Sequence, residues 1–181
     1  MKVPEVNKME LEYQAEGWAL YSTDNDDVQV VQWENPAVGR CAWALHQMLR
    51  SHALSTNGIA PHGAGGIIVK RLELINLTVV VRCTANDSHL SFVDTTGETL
   101  SPKEAGRIPN ARPSRLATME DVGLHMARSL RAHLAPQGLQ DLELRLHFGI
   151  EPGGACLLQV PNPLELSLGT TDYESLCGLL T

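Results

Sequence analysis

Asn86-Asp87-Ser88-His89-Leu90-Ser91-Phe92-Val93-Asp94-Thr95-Thr96-Gly97-Glu98-Thr99-Leu100-Ser101 is the densest run of structural signals in this 181-residue chain. Ahead of it, Val79, Val80 and Val81 form a β-branched run. Asn86-Asp87-Ser88 is a turn cluster, residues 89–93 form a second apolar run, and Asp94-Thr95-Thr96-Gly97 is another turn. The order predicts strand, turn, strand, turn, strand. A helix is expected over residues 118–134: Thr118 offers a cap, Glu120 and Asp121 follow, and Val122, Met126, Leu130 and Leu134 recur at helical spacing until Pro136 and Gly138. Leu142, Leu144 and Leu146 alternate with Glu143, Arg145 and His147, the pattern of a half-buried strand.

The block between residues 78 and 171 resembles the bacterial-type ribosomal protein S eleven family of the small subunit. The resemblance rests on six signals in order: Asn86-Asp87-Ser88, Asp94-Thr95-Thr96-Gly97, Thr99-Leu100-Ser101, the loop from Gly106 to Arg115, the helix after it, and Gly138-Leu139-Gln140-Asp141-Leu142-Glu143-Leu144 followed by Glu151-Pro152-Gly153-Gly154. It implies an α/β domain with a mixed twisted sheet and packed helices, serving as an RNA-contacting constituent of the small-subunit platform. Asn86, Ser88, Arg107, Arg112, Arg115, Gly153 and Gly154 are the residues it would place against ribosomal RNA. Neighbouring small-subunit ribosomal proteins are its implied partners. The loop here keeps only three arginines, and the chain ends Leu179-Leu180-Thr181 where the family has a basic tail.

The charge distribution modifies that expectation. A net charge of −7 and a pI near 5.4 are wrong for a free-standing nucleic-acid binder. Residues 1–35 carry −6, residues 36–72 carry +4 and residues 107–150 carry +2, so a local basic face can coexist with acidic surfaces that meet basic proteins. This balance, with an N-terminal extension, points to a protein-rich, mitochondrial ribosome, although no presequence is visible. The competing class is an interaction or assembly module that keeps the fold without binding RNA.

The extension is read as residues 1–66 and the ribosomal-type domain as residues 67–181. Within the extension, residues 1–10 are a polar arm. Residues 13–21 and 28–33 make a β-hairpin closed by Asp24-Asn25-Asp26-Asp27, residues 37–52 a helix, and residues 57–66 a Gly/Pro linker. Residues 67–74 are expected to feed a strand into the second domain, residues 155–160 to make a helical turn, Leu164, Leu166 and Leu168 to end the sheet, and residues 173–180 to form a terminal helix.

No enzyme is expected. Seven histidines are present, yet none sits in a nucleophile elbow, a His-Glu-x-x-His or a local Cys/His/Asp grouping. Cys41, Cys83, Cys156 and Cys177 lie far apart and read as buried thiols. The expectation therefore includes no catalytic residue, metal, cofactor, small-molecule substrate or membrane contact.

Overall fold

The computed structural model describes residues 2–139, 141–169 and 172–181. Gln140, Thr170 and Thr171, all within the stretch matched to the ribosomal pattern, lie outside the described residues. Among the described residues, no helix is long and apolar enough to cross a membrane.

The chain builds two antiparallel sheets where one mixed sheet was expected. The first is made by β1 (Met9–Ala15), β2 (Trp18–Thr23), β3 (Val28–Trp33), β4 (Gly58–His62) and β5 (Gly66–Lys70), in the order β1-β2-β3-β5-β4. What reads as a hairpin is a meander, because Gly17 (φ 86°) breaks the first run into two strands. What reads as a Gly/Pro linker is the β4–β5 hairpin. Pro61 is tolerated there because β4 lies at the sheet edge. The expected division between residues 66 and 67 falls inside β5.

Helix α1 (Pro36–Ser51) connects β3 to β4, with the Asn35 side chain capping it by accepting from Ala37 N. It packs Val38 and Ala42 against Trp33, Ile67 and Val69 of the first sheet. The opposite face of that sheet buries Val28, Val30 and Ile68 beneath Val6, Tyr21 and Ile59.

After β5 only residues 71–72 separate the two sheets. The second comprises β6 (Glu73–Cys83), β7 (Ser88–Val93), β8 (Thr99–Leu100), β9 (Leu142–Ile150), β10 (Cys156–Leu158) and β11 (Leu166–Ser167). Its main order is β10-β9-β6-β7-β8, and β11 pairs with the other part of β9. The β6–β7–β8 run is the expected one. Residues 156–158 form a strand rather than a helical turn, pairing with residues 148–150 of β9.

Short helix α2 (Pro102–Ala105) opens with a Ser101/Glu104 capping box, and α3 (Pro113–Leu134) covers one face of this sheet. Helix α3 starts five residues before the expected Thr cap. Pro113 takes the first helical turn, where its missing N–H costs nothing, and Thr118 lies inside, its hydroxyl donating to Ser114 O. Alternation along β9 sends Leu144, Leu146 and Phe148 into the core beneath α3, each at most 1% exposed and contributing about 1.5–3 kcal/mol by burial. Arg145 and His147 consequently lie on the other face, toward the first sheet. Helix α4 (Tyr173–Leu180) closes the chain against α1, with Leu176 and Leu180 buried.

Candidate functional site: a cleft between the two sheets

A cleft of about 500 Å³ lies where the inner faces of the two sheets meet. One wall carries Trp18, Leu20, Gln29, Val31, Trp33 and Val69 from β2, β3 and β5. The other carries residues 74–78 of β6 with Arg145 and His147 of β9, and Asn162 and Glu165 line it from the segment after β10. The size suits a small organic ligand.

Register explains the shape of both walls. Trp18 and Trp33 are direct cross-strand partners on β2 and β3, so both indoles stand on one face. Tyr13 on β1 stacks obliquely on Trp18, with ring centroids 5.4 Å apart. On the second sheet, pairing runs Leu74 with Gly149 and then Thr78 with His147. Residues 75–77 of β6 therefore oppose the single Phe148, and this bulge forms part of the cleft wall.

A hydrogen-bonded chain crosses from one wall to the other. Trp33 Nε1 donates to Asn162 Oδ1 at 3.0 Å, Asn162 Nδ2 lies 3.5 Å from Glu165 Oε1, and Glu165 Oε2 lies 2.6 Å from His147 Nε2. With Glu165 ionised, His147 Nε2–H is the donor of that last bond. Beside them, Arg145 is exposed and makes no hydrogen bond or ion pair among the described residues. The cleft thus offers aromatic faces, one uncommitted guanidinium and one imidazole–carboxylate pair able to hold or pass a proton.

The deep end of the cleft is rigid. Asn57, 4% exposed, accepts from Val160 N at 2.9 Å through Oδ1 and donates to Lys70 O at 2.9 Å through Nδ2. Its backbone N–H donates to Leu158 O, and its carbonyl accepts from Lys70 N. The neighbouring Thr56 hydroxyl lies 2.7 Å from His46 Nδ1 on α1. Burial first, and then the positive charge of Arg50, hold His46 below its ordinary pKa.

The residues expected to face RNA are not gathered at this cleft or at one other place. Asn86 lies in the turn after β6 and Ser88 begins β7, at the end of the sheet where Cys83 pairs with Leu142. Gly153 and Gly154 form the β9–β10 turn at the opposite end, where Glu73 pairs with Ile150. Arg107 and Arg112 are exposed before α3, on the Glu73 side, where Asn110 Nδ2 donates to Glu73 Oε1. Arg115 is half-buried: its Nη1 donates to Asn110 O, and its Nε is buried with no partner among the described residues. Asp94-Thr95-Thr96-Gly97 is a self-contained turn, in which Asp94 Oδ1 accepts from Thr96 N, Thr96 Oγ1 and Glu98 N.

No protein-family model and no curated protein matches the sequence. Solved structures do match by shape. A SAICAR synthetase (type 2) in complex with ADP aligns at TM-score 0.72 with 16% identity, covering 84% of this chain and 80% of that one. Phosphoribosylaminoimidazole-succinocarboxamide synthase from Ehrlichia chaffeensis aligns at 0.76 with 14% identity, over 84% and 81%. SAICAR synthase from Saccharomyces cerevisiae complexed with SAICAR aligns at 0.68 with 10% identity, over 88% and 75%. At such identities the likeness establishes the fold: the chain has the SAICAR-synthetase architecture.

This overturns the ribosomal resemblance and the function and partners read from it. The small-subunit role, the RNA and ribosomal-protein partners, the RNA-free module with the same fold, the expectation of no enzyme and the exclusion of a small-molecule substrate are all corrected by neighbours that are small-molecule synthetases. The six signals are mainly turns and strand ends, which recur wherever hairpins do. Their order was shared, but the sheet they enter is different.

The residues sequence reading missed are Trp18, Trp33, Arg145, His147, Asn162 and Glu165. A partial signal existed for two of them, since the alternation over residues 142–148 puts Arg145 and His147 on the non-core face. Nothing local connects that face to tryptophans more than 110 positions earlier.

Proposed function

We propose that this protein binds a purine-nucleotide-type ligand in the inter-sheet cleft and acts on it as a small-molecule enzyme of the synthetase class. The observation that carries the reading is the cleft, in which two indoles and a tyrosine stand opposite the His147–Glu165 pair and Arg145, which is unpaired among the described residues. Its support from comparison is that the neighbours of like fold are synthetases, one holding ADP and one SAICAR. Both ligands join flat heteroaromatic rings to anionic groups. The flat part fits the aromatic and aliphatic walls, where base–aromatic stacking is worth about 1–3 kcal/mol per base. The anionic part fits Arg145, a fork-shaped donor suited to phosphate and carboxylate.

Among the described residues, no group of three or more His, Cys, Asp or Glu side chains is placed to hold a metal ion, and Glu165 is the only carboxylate lining the cleft. Any proton transfer in the cleft falls to His147 and Glu165, and Arg145 orients the charged end of the ligand.

The test is titration of the full chain with ADP, ATP and SAICAR, followed by tryptophan fluorescence and calorimetry, with a synthetase assay run in parallel. Saturable binding that quenches Trp18 and Trp33 is expected. Arg145→Ala should weaken it about 10- to 100-fold, the worth of one charge-assisted hydrogen bond. Failure of all three ligands to bind at millimolar concentration overturns the reading.

A further inference from the structure

Away from the cleft, the C-terminal ends of α1 and α3 bring two imidazoles together. His52 is the residue that ends α1, and His133 lies in the last turn of α3. Their Nε2 atoms are 3.4 Å apart, their ring centroids 5.6 Å apart, and their planes cross at 83°. The nitrogens are nearer than the centroids, so each ring turns its Nε2 edge toward the other.

We propose that His52 and His133 bind a divalent transition-metal ion of the zinc class. Three observations support the site. First, 3.4 Å is long for a hydrogen bond between ring nitrogens, since N–H donors usually approach their acceptors to about 2.7–3.2 Å. The same separation matches the edge of a zinc tetrahedron: with zinc–nitrogen bonds of about 2.0–2.1 Å, two ligand atoms lie roughly 3.3–3.4 Å apart. A tilt of each ring aims both lone pairs at one ion. Second, the ion would sit at the negative end of two helices at once, where backbone carbonyls favour a cation. Third, the nearest opposing charges in sequence are held off. Arg131 is drawn away by donating to Ala85 O, and Arg50 is solvent-exposed.

The placement gives the ion a structural consequence. Helix α1 packs on the cleft-lining face of the first sheet and α3 on the far face of the second, so an ion held by one histidine from each ties together the helices that brace the two sheets. Among the described residues no third His, Cys, Asp or Glu completes the set. Water occupies the remaining positions, and the site belongs to the weaker, exchangeable kind.

Calorimetry with Zn²⁺ and Ni²⁺, and visible absorption with Co²⁺, test this on the full chain. One ion per chain is expected, with cobalt bands of nitrogen–oxygen coordination and a rise in Tm with zinc. His52→Gln and His133→Gln should each weaken binding roughly tenfold or more, since even residues one shell further out cost 10- to 100-fold. Cys177→Ser should leave binding unchanged. Circular dichroism confirms that each variant is folded. Should His52→Gln fail to fold, His133→Gln alone decides the matter, because it lies on the other helix. Absence of binding, affinity unchanged in the histidine variants, or loss in the cysteine variant overturns the proposal.

Discussion

His147 Nε2 stands 2.6 Å from Glu165 Oε2, and through Asn162 this contact reaches Trp33 on the other sheet. Replacing Glu165 with Ala removes one link and loosens the amide that accepts from the indole. Both side chains of the pair are about a third exposed, so the stability loss should be modest, about 1 kcal/mol or less. The more sensitive readout is optical: the Trp33 emission should broaden and shift to the red. Glu165→Gln, which still accepts from His147, should shift it less. Identical emission spectra for all three proteins would show that the chain does not hold Trp33.

Asn57 is the polar pin between the sheets. Asn57→Ala leaves the Val160 N–H and the Lys70 carbonyl without their side-chain partner in a buried place. Each group so stranded costs about 1–3 kcal/mol, and a total loss of about 2–4 kcal/mol is expected in urea denaturation. Asn57→Asp keeps the acceptor but loses the donor and buries a charge, so it should be no better than Ala.

Gly39 lies inside α1, where Ala is ordinarily favoured by about 1 kcal/mol. Here an added Cβ would collide with the Gly65 carbonyl oxygen and come within 2.6 Å of the Gly65 Cα. Both are backbone atoms of the β4–β5 turn and cannot rotate away. Overpacking of about 2–3 kcal/mol outweighs the propensity gain, so Gly39→Ala should lose about 1–2 kcal/mol in thermal unfolding. A higher Tm would show that the hairpin yields freely.

His46 makes stability depend on pH in a predictable direction. Its folded pKa lies below the ordinary value of 6.5, because burial opposes the charged ring and Arg50 repels it. The unfolded chain therefore takes up this proton first as pH falls. The contribution of His46 is intact above about pH 6.5 and is lost progressively below that, down through its depressed folded pKa. Thermal melts between pH 7.5 and 5 should show a steeper decline for the wild type than for His46→Gln. Parallel curves would mean that His46 binds its proton equally well in the folded and unfolded chain.

Local chemistry was legible where it decides structure locally. The helix of α1, the β6–β7–β8 run, the alternation along β9 and the final helix all follow from spacing and turn residues, because periodicity reports which face of an element is apolar. Sequence did not reveal which sheet each strand would join. β5 is a short continuous apolar run and β6 alternates over its first half, but neither pattern names a partner strand, and only pairing of Val28 with Lys70 and of Thr78 with His147 assigns them to separate sheets. Pro61 and the glycines of the β4–β5 hairpin read as a linker because edge placement, which makes Pro harmless, is a tertiary fact.

The cleft lay beyond the sequence for the same reason. Trp18, Trp33, Arg145, His147, Asn162 and Glu165 come from four separate segments, and each alone is a wall residue, a polar strand face or a turn. Composition and patterning determined that this chain folds as helices and half-buried strands with an acidic surface. The packing of one sheet face against another decided that two indoles, a guanidinium and an imidazole–carboxylate pair would surround one space, since contacts between distant segments are set by shape and burial rather than by any local period.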